Sequence, residues 1–203
     1  MGRRFRLLPG FALALLPGLL AAQTPAPDPA DGHCAGMQQP GPFARTRAGY
    51  TLPDVTLADQ AGQPFPAGRL MEDARPIAVN FIFTTCTTIC PVMSATFAQT
   101  RRELGGDAGR VRFVSISIDP EHDTPAALAR YAGKFQAPPD WVFLTGSSPD
   151  VIRVLKAFDV WTGSKFSHRP ITLLRRPGES EWVRLEGLGN GAALAAEVRA
   201  LLE

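Results

Sequence analysis

Two continuous apolar runs of strand length lie in the middle of the chain. The first, IAVNFIF, covers residues 77–83, and the second, VRFVSISI, covers residues 111–118. Apolar runs of this length without alternating polar positions are typical of strands that are covered on both faces of a parallel sheet. We therefore predict that both runs form central strands of a buried sheet.

The rest of the pattern predicts an α/β fold built around these two strands. Residues 50–65 alternate around a turn at Asp59 to Gly62, which indicates a β-hairpin. A helix follows each apolar run: the first ends at Gly105-Gly106, and the second begins with Thr124 as N-cap and Pro125 in its first turn. Further strands are predicted at residues 141–144, 171–174 and 182–185, and further helices at residues 149–158 and 192–202. This order predicts a thioredoxin-like fold, with a central mixed sheet flanked by helices and an N-terminal β-hairpin.

The first 48 residues do not follow this pattern. Residues 1–22 contain three arginines, then an apolar run from Leu7 to Leu20, then small residues. This layout is typical of a secretory signal peptide. A helix that spans a membrane needs about 20 apolar residues, and this run is shorter, which favours a cleaved signal peptide. An uncleaved membrane anchor is the alternative. We predict export to the periplasm or the outer face of the inner membrane, a flexible Pro/Gly/Ala-rich arm at residues 23–48, and one folded domain at residues 49–203.

The charge of the chain excludes one class of partner. The 203 residues have a formal net charge of +2, and three of the arginines lie in the predicted signal. The remaining chain is close to neutral, which gives no support for nucleic-acid binding.

The chain contains three cysteines, Cys34, Cys86 and Cys90, which are candidates for a functional site. Thiols of an exported protein are normally paired or have a function, and three cysteines cannot all pair within one chain. Cys34 lies in the predicted arm close to His33 and Met37. These thiol, imidazole and thioether groups are all usable by Cu(I), although a stray cysteine in an arm is the alternative.

Cys86 and Cys90 directly follow the first central strand, where the next helix begins. Free N–H groups at a helix N-terminus stabilise a thiolate and lower its pKa, so both cysteines are expected to be reactive. The three intervening residues allow the two sulfurs to reach each other or to share a soft metal ion. On these residues alone, a structural disulfide, a redox pair and a metal site all stay open.

Two longer stretches resemble the Sco/SenC family of copper-binding cytochrome c oxidase assembly proteins. NFIFTTCTTICPVMSATF is similar to the family's strand followed by CxxxCP, and SISIDPEHDTPAALARYAGKF is similar to its DPxxDTP segment. The resemblance implies copper, as Cu(I) or Cu(II), bound by Cys86, Cys90 and a histidine before a late strand, which is His168 here. Many members have an aspartate directly before that histidine, where this chain has Ser167, and this departure leaves the affinity and the client open.

The resemblance implies a metallochaperone that delivers copper to, or prepares the thiols of, a respiratory oxidase copper site. Its partners would be an oxidase subunit as copper acceptor and a thiol reductant, because a disulfide between Cys86 and Cys90 abolishes copper binding. Whether the chain is also an enzyme stays open. The alternative is a thiol-disulfide oxidoreductase in which Cys86 attacks and Cys90 resolves the mixed disulfide. A peroxidase is a third hypothesis, because Thr87 to Cys90 matches the TxxC of peroxiredoxins.

The DPEHDTP segment has simpler interpretations as well. Asp119 either bonds near the cysteines or forms a turn after the strand. His122 is expected to be exposed, and Asp123 and Thr124 to cap the following helix.

Overall fold

The structure is a computed structural model that describes residue 2 and residues 42–203. The rest of the predicted signal and residues 23–41 of the predicted arm lie outside the described residues, and so do His33, Cys34 and Met37. Within the described part, no helix is both long and apolar enough to cross a membrane.

Residues 42–203 form a mixed sheet of eight strands with helices on both faces. The strands are β1 (Ala44–Gly49), β2 (Thr56–Asp59), β3 (Pro64–Pro66), β4 (Ile77–Ile82), β5 (Arg112–Ser117), β6 (Trp141–Thr145), β7 (Ile171–Arg175) and β8 (Glu181–Glu186). The helices are α1 (Arg69–Glu72), α2 (Ile89–Leu104), α3 (Pro125–Lys134), α4 (Ser148–Ala157) and α5 (Gly191–Arg199).

The strand order in the sheet is β1-β8-β7-β4-β5-β6-β2-β3. Strands β4, β5 and β6 run parallel, and every other neighbouring pair is antiparallel. All six residues of β4 are buried, as the first apolar run predicts for a strand covered on both faces. The predicted thioredoxin-like α/β fold is therefore confirmed.

Alternation along β4 divides the core between the two faces of the sheet. Val79 and Phe81 pack in one apolar cluster with residues of α4, whereas Ala78 and Ile82 pack in the other with residues of α2 and α5. Phe97, in the middle of α2, is fully buried in the second cluster. Burying such a side chain contributes about 1.5–3 kcal/mol, so this cluster holds α2 firmly against the end of β4.

The predicted N-terminal hairpin is confirmed as β2 and β3, which pair antiparallel. The Asp59 carboxylate closes its turn by accepting hydrogen bonds of 2.8 Å from the backbone N–H groups of both Ala61 and Gln63. Gly62 has a φ of +78°, a backbone conformation that favours glycine.

The predicted boundary at residue 49 is wrong for the last residues of the arm. Ala44–Gly49 forms β1, which pairs antiparallel with β8 along its whole length. Five of its six residues are exposed, because β1 is an edge strand with little contact to the core. It therefore lacks the hydrophobic alternation by which strands are predicted. The four-residue helix α1, held by fully buried Leu70, was also not predicted.

Three loops meet at one edge of the sheet. β4 and β5 are parallel and in register, so the loops after Ile82 and Ser117 leave the sheet side by side. β7 runs antiparallel to β4, with Thr172 opposite Asn80, and the loop before β7 therefore arrives at the same edge. The fold thus gathers the cysteine segment, the DPEHDTP segment and the His168 segment in one place.

Candidate metal centre

Cys86 and Cys90 lie together at the end of β4. Cys86 is in the loop before α2 and is half-buried, whereas Cys90 is in the first turn of α2 and is fully buried. The backbone N–H of Cys90 donates to the Cys86 sulfur over 3.4 Å, and Thr88 Oγ1 lies 3.6 Å from the same sulfur. Both are free thiols in the structure. The helix N-terminus therefore directs a donor at Cys86, as the sequence predicts.

The two thiols differ in acidity. Burial raises the pKa of Cys86, but hydrogen bonds from Cys90 and Thr88 outweigh it, and the net pKa is lowered. Burial also raises the pKa of Cys90, and there the hydrogen bond to Cys86 and the charges of Cys86 and Asp123 add to the increase. Cys86 is therefore the thiol that forms a thiolate first, and it is also the accessible one.

His168 occupies the predicted loop directly before β7. Its Nε2 atom is buried and has no hydrogen-bond partner. Burial lowers the pKa of His168, and the backbone of Phe81 opposes this shift. Burial thus favours the neutral ring, which is the form of histidine that binds a metal.

In the range that the structure describes, no three side chains of histidine, cysteine, aspartate or glutamate converge closely enough to hold a metal ion. Cys86 and Cys90 meet, and His168 stands at the same sheet edge without completing a three-residue group. The donor types nevertheless fit copper, because two thiols and an imidazole form a soft ligand set. The ligand role of His168 stays a prediction.

Asp119 and Lys165 connect two of the loops around this site. Lys165 Nζ donates to Asp119 Oδ2 over 2.6 Å, and it also lies 5.7 Å from the centre of the Phe83 ring. His122 has an exposed side chain, as predicted, and its Nδ1 lies 3.0 Å from the other Asp119 oxygen. The sequence does not predict a role for Lys165, because its partner Asp119 lies 46 residues earlier in the chain.

Asp123 does not cap α3 with its side chain, and that prediction is wrong. Thr124 alone accepts the capping hydrogen bond, from Ala127 N over 3.2 Å. The carboxylate of Asp123 turns inward instead, is fully buried, and binds Thr84 and Ser117. The local sequence favours helix capping by Asp123, whereas its contact with Thr84, 39 residues earlier in the chain, determines its actual role.

A mixed sheet that carries a cysteine pair between its central strand and a helix defines the class of thioredoxin-like thiol proteins. The SCO1/SenC family model matches residues 44–203, and the chain belongs to this family.

Curated relatives and solved structures agree with this assignment. The chain is 34% identical over 128 residues to the SCO1 protein homolog of Bacillus subtilis, covering 62% of this chain and 63% of the relative. It is 33% identical to the mitochondrial SCO2 homolog of Bos taurus, covering 62% of this chain and 47% of that one. The chain thus spans about half to five eighths of these relatives.

The chain is similar to a solved structure of BsSco, with a TM-score of 0.63 and 26% identity. BsSco is described as a member of the Sco family of cytochrome c oxidase assembly proteins, with a disulfide switch. That likeness covers 77% of this chain and 95% of BsSco. Bradyrhizobium japonicum ScoI, solved with copper bound, has a TM-score of 0.61 at 24% identity, covers 72% of this chain and 96% of ScoI, and supports the fold.

Proposed function

We propose that the protein is a copper chaperone that takes up copper through Cys86, Cys90 and His168 and passes it to a respiratory oxidase subunit. The observation that carries the proposal is the buried, unpartnered Nε2 of His168 at the sheet edge where the two thiols meet. A buried polar atom without a partner is costly, and a bound metal ion would satisfy it.

The thiol pair supports a soft, transferable cargo. Cys86 is half-buried and has a lowered pKa, so its thiolate is available to an incoming ion. Cys90 has a raised pKa, and a bound cation would have to displace its proton. Copper uptake should therefore release a proton from Cys90, and transfer to an acceptor with its own thiol and imidazole ligands proceeds by ligand exchange.

The family assignment supports the same cargo and client. BsSco, with which this chain shares 26% identity, belongs to a family of cytochrome c oxidase assembly proteins. We propose an oxidase subunit as copper acceptor, and a thiol reductant that keeps Cys86 and Cys90 free to bind. We also propose that residues 1–22 export the protein and that it works in the periplasm or at the outer face of the inner membrane.

A second candidate function, a thiol-disulfide oxidoreductase, is favoured by the difference in acidity between the two cysteines. The accessible thiolate of Cys86 suits the attacking role, and the buried thiol of Cys90 suits the resolving role. His168 distinguishes the two functions, because thiol exchange does not require its lone pair.

The test is an anaerobic titration of the reduced protein with Cu(I) against a competing chromophoric chelator. Cys86→Ser and Cys90→Ser should lose most of the affinity, and His168→Ala should lose about 10–100-fold, the effect typical of groups that complete or tune a metal site. His122→Ala is the matched control, since it removes a histidine whose side chain is 56% exposed. Cys34→Ser tests whether the arm adds a second site.

Unchanged affinity in the Cys86, Cys90 and His168 variants would contradict the chaperone proposal. Loss of affinity in the two cysteine variants together with unchanged affinity in His168→Ala would support the oxidoreductase alternative. In that case His168→Ala should also retain the wild-type rate of thiol-disulfide exchange.

A further inference from the structure

Asp123 is a fully buried carboxylate that belongs to neither the thiol pair nor the cap of α3. Its two oxygens accept hydrogen bonds from three donor groups: Thr84 Oγ1 over 2.6 Å, Thr84 N over 3.1 and 3.3 Å, and Ser117 Oγ over 2.6 Å. Burial raises the pKa of Asp123, and the hydrogen bonds of Ser117 and Thr84 oppose that shift. Burying a carboxylate costs free energy unless it is hydrogen-bonded, so the identity of its partners is informative about its role.

Those partners are the residues at which β4 and β5 leave the sheet. Ser117 is the last residue of β5, and Thr84 lies two residues after the end of β4 and two before Cys86. Ser117 Oγ also accepts the backbone N–H of Asp119 over 3.0 Å. Asp123 thereby ties the cysteine loop to the loop after the neighbouring strand.

The turn that carries Cys86 is held on both sides. Thr84 is fixed by Asp123 through both its backbone and its side chain. The backbone N–H of Cys86 donates to the carbonyl of Phe83 over 3.2 Å, which closes the turn. The position of the Cys86 sulfur 3.4 Å from Cys90 N depends on this turn, because no strand or helix contains Cys86.

We propose that Asp123 is a positioning residue that holds Thr84 and thereby fixes the Cys86 sulfur against Cys90. This inference deepens the proposed function, because it assigns the group that aligns the two thiols for a shared ion or for disulfide formation. Prealigned thiols have a high effective concentration towards each other, which favours the disulfide over two separate thiols.

The reaction that reports on this alignment is exchange with glutathione. The two thiols of Cys86 and Cys90 lose two protons and two electrons and form one S–S bond, while one glutathione disulfide accepts them and becomes two glutathione thiols. The equilibrium constant of this exchange measures how well the protein holds the two sulfurs in bonding position.

The test measures that constant in the full chain carrying Cys34→Ser, alone and with each further substitution. Thr84→Val removes the hydroxyl donor and keeps the size of the side chain, whereas Thr84→Ser keeps the donor. Ser117→Ala is the matched control, since it removes another donor to the same carboxylate without touching the cysteine turn. Unfolding curves of every variant show that the comparison is made between folded proteins.

We expect Thr84→Val and Asp123→Asn to lower the constant by about threefold or more, since looser thiols have a lower effective concentration. Thr84→Ser should restore the wild-type equilibrium constant. Ser117→Ala should stay within about twofold of it, even if this substitution lowers the free energy of unfolding as much as Thr84→Val does. Alkylation of Cys86 by iodoacetamide should slow in Thr84→Val and recover in Thr84→Ser.

Equal shifts in Thr84→Val and Ser117→Ala would overturn the proposal, because general loosening would then explain both. A shift in Asp123→Asn alone would overturn it too, since the charge of Asp123 would then act without Thr84. The failure of the proposed function looks different: wild-type protein would not bind Cu(I), whereas the Thr84 variants would still change the glutathione equilibrium.

Discussion

At the scale of single residues, the two cysteines have different roles although they occur in one short motif. Cys86 is half-buried with a lowered pKa, and Cys90 is fully buried with a raised pKa. The difference arises because the N–H of Cys90 points at the Cys86 sulfur, whereas the Cys90 side chain lies on the buried face of α2, in the core.

This difference predicts selective alkylation. In reduced protein at neutral pH, iodoacetamide should modify Cys86 at least about tenfold faster than Cys90, because only thiolates react and only Cys86 is accessible. Mass spectrometry of peptides after short exposure gives both rates. With Cys34→Ser as background, the fast phase should persist in Cys90→Ser and disappear in Cys86→Ser. Equal rates at the two positions would contradict the assignment of Cys86 as the attacking thiol.

At the scale of elements, the loop before β7 is held by an ion pair as well as by the chain. Lys165 and Asp119 join this loop to the one after β5, and Asp119 is nearly fully buried. Burial alone would raise the pKa of Asp119, but its hydrogen bonds to Lys165 and His122 outweigh it and lower the pKa.

Lys165→Gln should therefore reduce the free energy of unfolding by about 1.5–3 kcal/mol near neutral pH, the usual contribution of a hydrogen bond to a charged group. A carboxyl group with a lowered pKa stabilises the fold above its unfolded pKa of about 3.9, and this stabilisation is lost as the pH falls through the folded pKa. The difference in the free energy of unfolding between wild type and Lys165→Gln should thus shrink below pH 4.

Urea unfolding between pH 3 and pH 7 measures this dependence. Lys156→Gln is the matched control, because Lys156 is an exposed lysine of α4. A difference between wild type and Lys165→Gln that stays constant down to pH 3 would show that the ion pair contributes nothing.

The elements that the sequence predicts well are those whose signal is local. The buried runs of β4 and β5 and the Thr124-Pro125 start of α3 contain their own pattern. The role of Asp123 could not be predicted, because the same residue type suits a helix cap and the deciding partner, Thr84, is remote in the sequence. The cysteine pair could be predicted from spacing, whereas the buried and unpartnered Nε2 of His168 is visible only after folding.

At the scale of the whole molecule, the folded body includes the residues before the predicted boundary. β1 covers the outer edge of β8, and a Cβ atom on Gly189 would come within 2.2 Å of the Phe43 ring. The surface ion pair Arg47–Glu181 between these strands contributes little by itself, because both side chains are more than half exposed. The ladder and the Phe43 contact therefore make β1 part of the domain.

Removal of residues 1–49 should lower the free energy of unfolding by about 1–3 kcal/mol, because β8 loses its outer hydrogen-bonding partner. Removal of residues 1–41 is the matched control, since it retains β1 and Phe43. It should leave the midpoint of the unfolding transition of the folded domain unchanged. Chemical denaturation of the two shortened chains gives the comparison. Equal stability would contradict the assignment of β1 to the folded domain.

In the proposed site, one copper ion is shared by the thiols of Cys86 and Cys90 and the imidazole of His168. X-ray absorption at the copper edge of the Cu(I)-loaded protein tests it most directly, with Cys34→Ser as background to exclude the arm. We expect two sulfur neighbours and one imidazole nitrogen from His168, and the loss of that nitrogen signal in His168→Ala. A spectrum with sulfur neighbours alone, unchanged by His168→Ala, would contradict a copper site that includes His168.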